Sequence, residues 1–228
     1  EIASCLVGSE MCIRDSFGTW PFVSDLRTGA MSGGSGEQAL LTAGCSQMHK
    51  YYGLPGGAAA GIADAKMPDY QAGYEQMCSN VMAGLSGLNM VYESVGMHAS
   101  LLGFSLESLV LGDDILGQVQ RCVRGIEVTE DNISLEAMRS VCLEGPGHYL
   151  GHEQTLSLMQ TEYIYPEFYN RLSPGDWHDA GKPEALSIAT QKTEEILSTH
   201  FPAHISEEID DKIREKFPIH LSKKAIGR

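Results

Sequence analysis

No apolar run in these 228 residues approaches the ~20 residues that a helix needs to cross a bilayer. Basic residues are scarce: 16 Lys and Arg stand against 30 Asp and Glu, a net charge of −14. That balance excludes a nucleic-acid surface, which requires a basic stripe, and an anionic membrane surface. An acidic surface suits a small cationic substrate, and it also simply keeps a chain in solution. The six cysteines (Cys5, Cys12, Cys45, Cys78, Cys122 and Cys142) form no CxxC and no Cys/His metal spacing, which argues against a zinc site. They are too sparse for a disulfide framework, so buried free thiols and a cytoplasmic location are expected. The glycines at 29, 33, 34 and 36 lie in neither GxGxxG nor GxxxxGK[ST], so this loop is not read as a phosphate cradle.

What remains is an ordinary globular composition, 43% apolar and 20% charged, long enough for one sizeable core. Residues 1–16, EIASCLVGSEMCIRDS, do not fit the rest of the chain. They have neither a basic n-region nor a continuous apolar stretch, so they are not a signal peptide. The stretch resembles translated adaptor sequence, and the expectation is a non-native leader on a chain truncated upstream.

The organising stretch is 54–75, LPGGAAAGIADAKMPDYQAGYE. Its small apolar half, 55–62, suits a buried strand whose backbone something else approaches closely. Asp64, Lys66, Asp69 and Gln71 then arrive together, ahead of a helix expected from Pro68 to about Ser86. Further strands are expected at 18–23 and 88–92, the last delivering Glu93 and then His98. Helices are expected at 36–52 with Gly53 as C-cap, at 101–125, 132–143, 152–163 and 182–199, and at 206–216. Asp113 and Asp114 are read as a helix start, Asp25 and Arg27 as a loop ion pair, and 164–181 as a wrapping segment. Strands alternating with helices indicate βα units and a parallel sheet. In a β/α barrel, the loops at the strands' C-terminal ends build the site. His148 and His152 share HxxxH spacing, but Pro146, Gly147 and Gly151 break any helix there, and the zincin reading fails.

Four separate segments in one order carry a family resemblance: YYGLPGG, DAKxPDxQAGYE, NMVYESVGM and LVLGDDILGQVQRCVRGIEV. Together they resemble the trimethylamine methyltransferase family, from about Phe17 to the C-terminus. The resemblance implies an α/β fold: the C-terminal part of a TIM-type β/α barrel over 17–165, and a helical C-terminal extension over 166–228. It also implies methyl transfer from a methylated amine to the cobalt of a partner corrinoid protein, with no cofactor bound by this chain itself. Carboxylates and aromatic faces suit such a cation. Asp64, Lys66, Asp69 and Glu93 are therefore the candidate catalytic residues. Gln71, Tyr74, Tyr92, His98 and His148 are the candidate substrate-binding residues. Lys66 is also expected to pair with Asp64 or Asp69.

Some family members carry pyrrolysine, whose place here falls loosely at Met67. A thioether cannot form an imine's adduct, so a quaternary amine such as a betaine becomes the favoured substrate over trimethylamine. Two other readings stay open: a Schiff-base lyase or aldolase using Lys66, and a non-catalytic binder of small cationic osmolytes. Association into a homo-oligomer is left open.

Overall fold

The computed structural model describes residues 17–201 and 204–227; the leader expected at 1–16 lies outside the described residues. Two compact units divide at Ala189–Thr190.

In the first unit, β1 (Phe17–Thr19), β4 (Gly56–Ala59) and β5 (Met90–Tyr92) form a parallel sheet in that order, with Phe17 opposite Gly56 and Ala59 opposite Tyr92. Helix α1 (Gly36–Tyr52) connects to β4, and α2 (Tyr70–Ser86) joins β4 to β5. These are the expected βα units, since parallel neighbours need crossover connections. Both helices follow their local sequence signals. Ser35 caps α1 by accepting from the Gln38 N–H at 3.2 Å, and Gly53 ends it at φ 67°. Asp69 caps α2 by accepting from the Ala72 N–H at 3.1 Å, and Gly87 ends it at φ 86°. Pro68 thus precedes the cap instead of opening the helix.

Strand β4 is buried on both faces and has no bulky side chain. On one face a Cβ at Gly56 would fall 1.6 Å from the His49 ring. On the other, a Cβ at Gly57 would fall 2.4 Å from the Tyr92 hydroxyl. The close backbone approach expected of this strand is made by the protein's own ring side chains.

Several expected boundaries move. The first strand ends at Thr19; Pro21 cannot donate to a ladder, and the chain turns into an antiparallel pair, β2 (Val23–Ser24) with β3 (Met31–Ser32). Its turn holds the expected Asp25–Arg27 ion pair at 2.6 Å, and the Arg27 guanidinium keeps the Asp25 carboxyl well below the usual carboxylate range. The helix expected from 101 begins only at Leu106, as α3 (Leu106–Arg124). Left-handed residues at 99–101 and a short pair, β6 (Met97–His98) with β7 (Gly103–Phe104), occupy the space before it. The helix expected at 132–143 is split into α4 (Glu130–Ile133) and α5 (Leu135–Cys142) by Ser134 at φ 59°. The helix expected at 152–163 shortens to α6 (Glu153–Leu158).

Asp113 and Asp114 sit inside α3 and do not start it. Asp114 is buried, and its carboxylate accepts the N–H groups of Glu167 (2.9 Å), Phe168 (2.7 Å) and Tyr169 (3.1 Å). This binds the wrapping segment to α3, and Phe168 packs with Leu111 and Ala189. Replacing Asp114 with Ala strands three backbone donors. The expected cost is about 3 kcal/mol, read as a fall in denaturation midpoint, with protease cleavage appearing first at 165–170. The segment continues into α7 (Pro174–Asp179), and α8 (Ala185–Thr199) follows.

In the second unit, Ser206 caps α9 (Glu207–Lys216), where Arg214 pairs with Asp210 at 2.9 Å. No helix among the described residues is long and apolar enough to cross a membrane.

Candidate functional site at the C-terminal ends of the strands

Three loops leave the C-terminal ends of the parallel strands, and one carboxylate ties them together. Asp64, five residues past β4 and about half-buried, accepts hydrogen bonds from the Ser32 and Ser100 hydroxyls. It also accepts from the Gly33 N–H at 2.8 Å and the Gly34 N–H at 3.2 Å. Burial raises its pKa, but the four donors outweigh burial and the net shift is downward. The side chain expected to grip a substrate is instead saturated by the protein.

Glu75 performs the matching task from α2. Its buried carboxylate accepts from the Asp64 N–H at 2.7 Å, the Ala65 N–H at 3.2 Å and the Gln71 amide at 2.8 Å. A Cβ at Gly34 would fall 2.6 Å from the Glu75 carboxyl carbon and one at Gly33 would fall 2.5 Å from the Ile62 side chain, so Gly34 lets this carboxylate close in while Gly33 admits Ile62. Read from sequence, Glu75 is only a favourable helix-dipole charge. The glycine pair without a phosphate motif is the signal that something had to approach there.

The loop after β5 is then laid along the loop after β4. Ala63 donates to Met97 O (3.1 Å), Ala99 to Ala65 O (2.9 Å) and Ser100 to Ala63 O (3.0 Å). To reach these partners, Ala99, Ser100 and Leu101 adopt φ of 49°, 53° and 76°. Each such residue costs on the order of 1–2 kcal/mol, and the Asp64–Ser100 bond helps hold the turn.

Glu93, immediately after β5, is also left-handed at φ 55°. One carboxylate oxygen is buried without a hydrogen-bond partner, and desolvation raises its pKa. A strained, unsatisfied carboxylate at a strand's C-terminal end is a feature of this rim that its own packing does not use. Next to it in sequence, the Tyr92 ring stacks on Trp20, with centroids 5.7 Å apart and planes within 10°. Trp20 is half-exposed and also meets Phe22 at 5.9 Å. Trp20 is not among the sequence candidates; its place one residue past β1 is the available cue. His98 is buried, and neither ring nitrogen has a hydrogen-bond partner.

The remaining candidates fall elsewhere. The Lys66 ammonium donates to the Asp64 backbone carbonyl at 2.7 Å and pairs with neither carboxylate, since Asp64 points inward to its donors and Asp69 caps α2. Gln71 is directed to Glu75. Met67 is 64% exposed on the same loop. Asp69 and Tyr74 line a groove of about 560 Å³ with Tyr70, Leu111, Ile115 and Tyr169, which Asp64, Tyr92, Glu93 and His98 do not line. His148 is exposed between α5 and α6. Of the three expected carboxylates, Asp64 is structural, Asp69 is an exposed cap, and only Glu93 holds a buried oxygen without a hydrogen-bond partner.

Comparison with known proteins points in one direction. Residues 12–224 match the family model described as trimethylamine methyltransferase (MTTB). The chain is 31% identical over 203 residues to the trimethylamine methyltransferase MttB of Methanosarcina barkeri (strain Fusaro / DSM 804), covering 88% of this chain and 40% of that protein. It is 30% identical over 199 residues to the glycine betaine methyltransferase of Desulfitobacterium hafniense (strain Y51), covering 87% and 41%. The chain therefore spans about two-fifths of the length of these relatives.

Proposed function

Because the chain belongs to the trimethylamine methyltransferase family, we propose that its strand rim holds a methylated amine for transfer of one methyl group to the cobalt of a partner corrinoid protein. The carrying observations are the Trp20–Tyr92 stack and, on the next residue of the chain, the Glu93 oxygen buried without a hydrogen-bond partner. Aromatic faces attract a cation, and a desolvated carboxylate supplies the opposite charge. The parallel βα units support placement of this rim at the mouth of a β/α barrel.

In the transfer, the methyl–nitrogen bond breaks and its electron pair stays on nitrogen, so the amine leaves neutral. The reduced cobalt of the partner supplies the nucleophile. The residues of this chain bind the cationic head, align one methyl outward and exclude water. Asp64 and Glu75 act one step back, holding the loops that carry these groups.

A quaternary amine such as glycine betaine is the favoured substrate. No pyrrolysine is present, Met67 offers no electrophile, and one relative is named for glycine betaine. Replacing Trp20 with Leu is expected to weaken glycine betaine binding about tenfold in calorimetry, the size of one partly desolvated cation–π contact. Unchanged affinity would remove the aromatic wall from the site. The Schiff-base alternative calls for a desolvated lysine, whereas Lys66 is exposed and bonded to a carbonyl. Borohydride reduction with a carbonyl compound is expected to leave Lys66 unmodified, as read by mass spectrometry; a trapped adduct would revive that alternative.

A further inference from the structure

The groove beside α2 is a second acidic, aromatic recess, and none of Trp20, Tyr92 and Glu93 lines it. Asp69 caps α2, and Tyr70 and Tyr74 follow four residues apart, on one face of the helix. Their ring centroids are 5.9 Å apart, with planes tilted by 55°. The wrapping segment brings Tyr169 to the same place, because Asp114 of α3 holds the N–H groups of Glu167, Phe168 and Tyr169. Leu111 and Ile115 of α3 give the groove an apolar wall. Its volume of about 560 Å³ is that of a small-molecule site, and every residue lining it belongs to the first unit. Gly73 lines it between the two tyrosines, and a Cβ there would meet nothing within 4 Å. The space over Gly73 is therefore the groove itself.

The charge around this groove has one sign. Asp69 contributes a carboxylate whose Oδ1 accepts the Ala72 N–H at 3.1 Å. The Glu75 charge above all, with Asp64 adding to it, pushes the Tyr74 phenol up; burial, followed by the Asp114 charge, does the same to Tyr169. No Lys, Arg or His is among the lining residues. Aromatic faces in a negative field attract a cation. The Leu111 and Ile115 wall suits methyl groups better than N–H donors, which need acceptors. A ligand that carries its own carboxylate meets Asp69 with no basic group to receive it, and like charges brought together cost affinity.

We propose that this groove is a binding site for a small quaternary ammonium cation without a carboxylate, of the class of tetramethylammonium or choline. Tyr70, Tyr74 and Tyr169 form its aromatic walls, and Asp69 supplies the counter-charge. This chemistry separates the groove from the strand rim, where glycine betaine is the favoured ligand. The inference does not rest on the methyl-transfer reading.

Calorimetric titration of the 228-residue chain with tetramethylammonium at low salt tests it, run in a Glu93→Gln background so that the rim does not compete. The expected result is saturable binding at one site per chain, with Kd on the order of 1 mM. Asp69→Asn keeps an oxygen for the α2 cap and removes the charge; it is expected to weaken binding about fivefold, as is Tyr74→Leu. Gly73→Leu fills the groove, and is expected to abolish binding with an equal or higher melting temperature, because glycine is unfavourable inside a helix. Glycine betaine is expected to bind this background at least tenfold more weakly than tetramethylammonium. No saturation up to about ten times the expected Kd, binding indifferent to Asp69, Gly73 and Tyr74, or glycine betaine bound as tightly as tetramethylammonium would each overturn the proposal.

Discussion

Asp64→Ala is expected to lower the stability of the first unit by about 3 kcal/mol, as large a loss as that expected of Asp114→Ala. The change strands four donors from two other loops, and hydrogen bonds to a charged acceptor contribute about 1.5–3 kcal/mol each; the half-exposure of the site brings the sum down. The left-handed turn at 99–101 loses a restraint at the same time. Hydrogen exchange at 97–101 and 32–34 is expected to rise before that of β4. The pH dependence has a definite sign. The pKa of Asp64 is lowered on folding, so its contribution is full above the unfolded-state value near 4 and fades as pH falls through the folded value. The wild type is therefore expected to lose stability on acidification more steeply than the Ala variant. Parallel acid-unfolding curves would show that the carboxylate is not held as described.

Glu93→Gln acts in the opposite sense. It is expected to lower kcat/KM for methyl transfer by at least a hundredfold while leaving stability at neutral pH equal or higher. A buried charge opposite a cation is worth about 2–5 kcal/mol in the complex, and each 1.4 kcal/mol is a factor of ten. In the free protein the same charge is a burden, because burial raises its pKa and one oxygen has no partner. Its folded pKa lies above the unfolded one. The penalty is thus absent below the unfolded value near 4.3, and it grows as pH rises to the folded value and beyond. Affinity for the cation should climb over that same window as Glu93 ionises. The pair of variants separates the two roles: Asp64 loses stability first, and Glu93 loses turnover with stability kept. A Glu93→Gln enzyme with full turnover would take this carboxylate out of the mechanism.

The alternation of strand and helix is legible in the sequence because its signals are local. Ser35, Gly53, Asp69 and Gly87 mark helix ends by their own hydrogen bonds and dihedrals. Gly56 and Gly57 announce close approach, though not by what. Long-range pairings are illegible, because no spacing in the chain encodes them. Asp114 reads as a helix start because acidic pairs favour helix N-termini; its partners lie more than fifty residues away. Asp64 reads as a free carboxylate for the same reason, with donors thirty to thirty-six residues distant on either side. Trp20 and Tyr92 stack only because β1 and β5 flank β4, an arrangement that comes from sheet order and not from either residue's neighbours in sequence.

The most direct measurement tracks the visible spectrum of a reduced corrinoid protein mixed with the enzyme and either glycine betaine or trimethylamine. The expected result is conversion to the methylated corrinoid with the quaternary amine, lost in Glu93→Gln and reduced in Trp20→Leu. Conversion by trimethylamine alone, or binding of both amines with no methylated corrinoid formed, would contradict it.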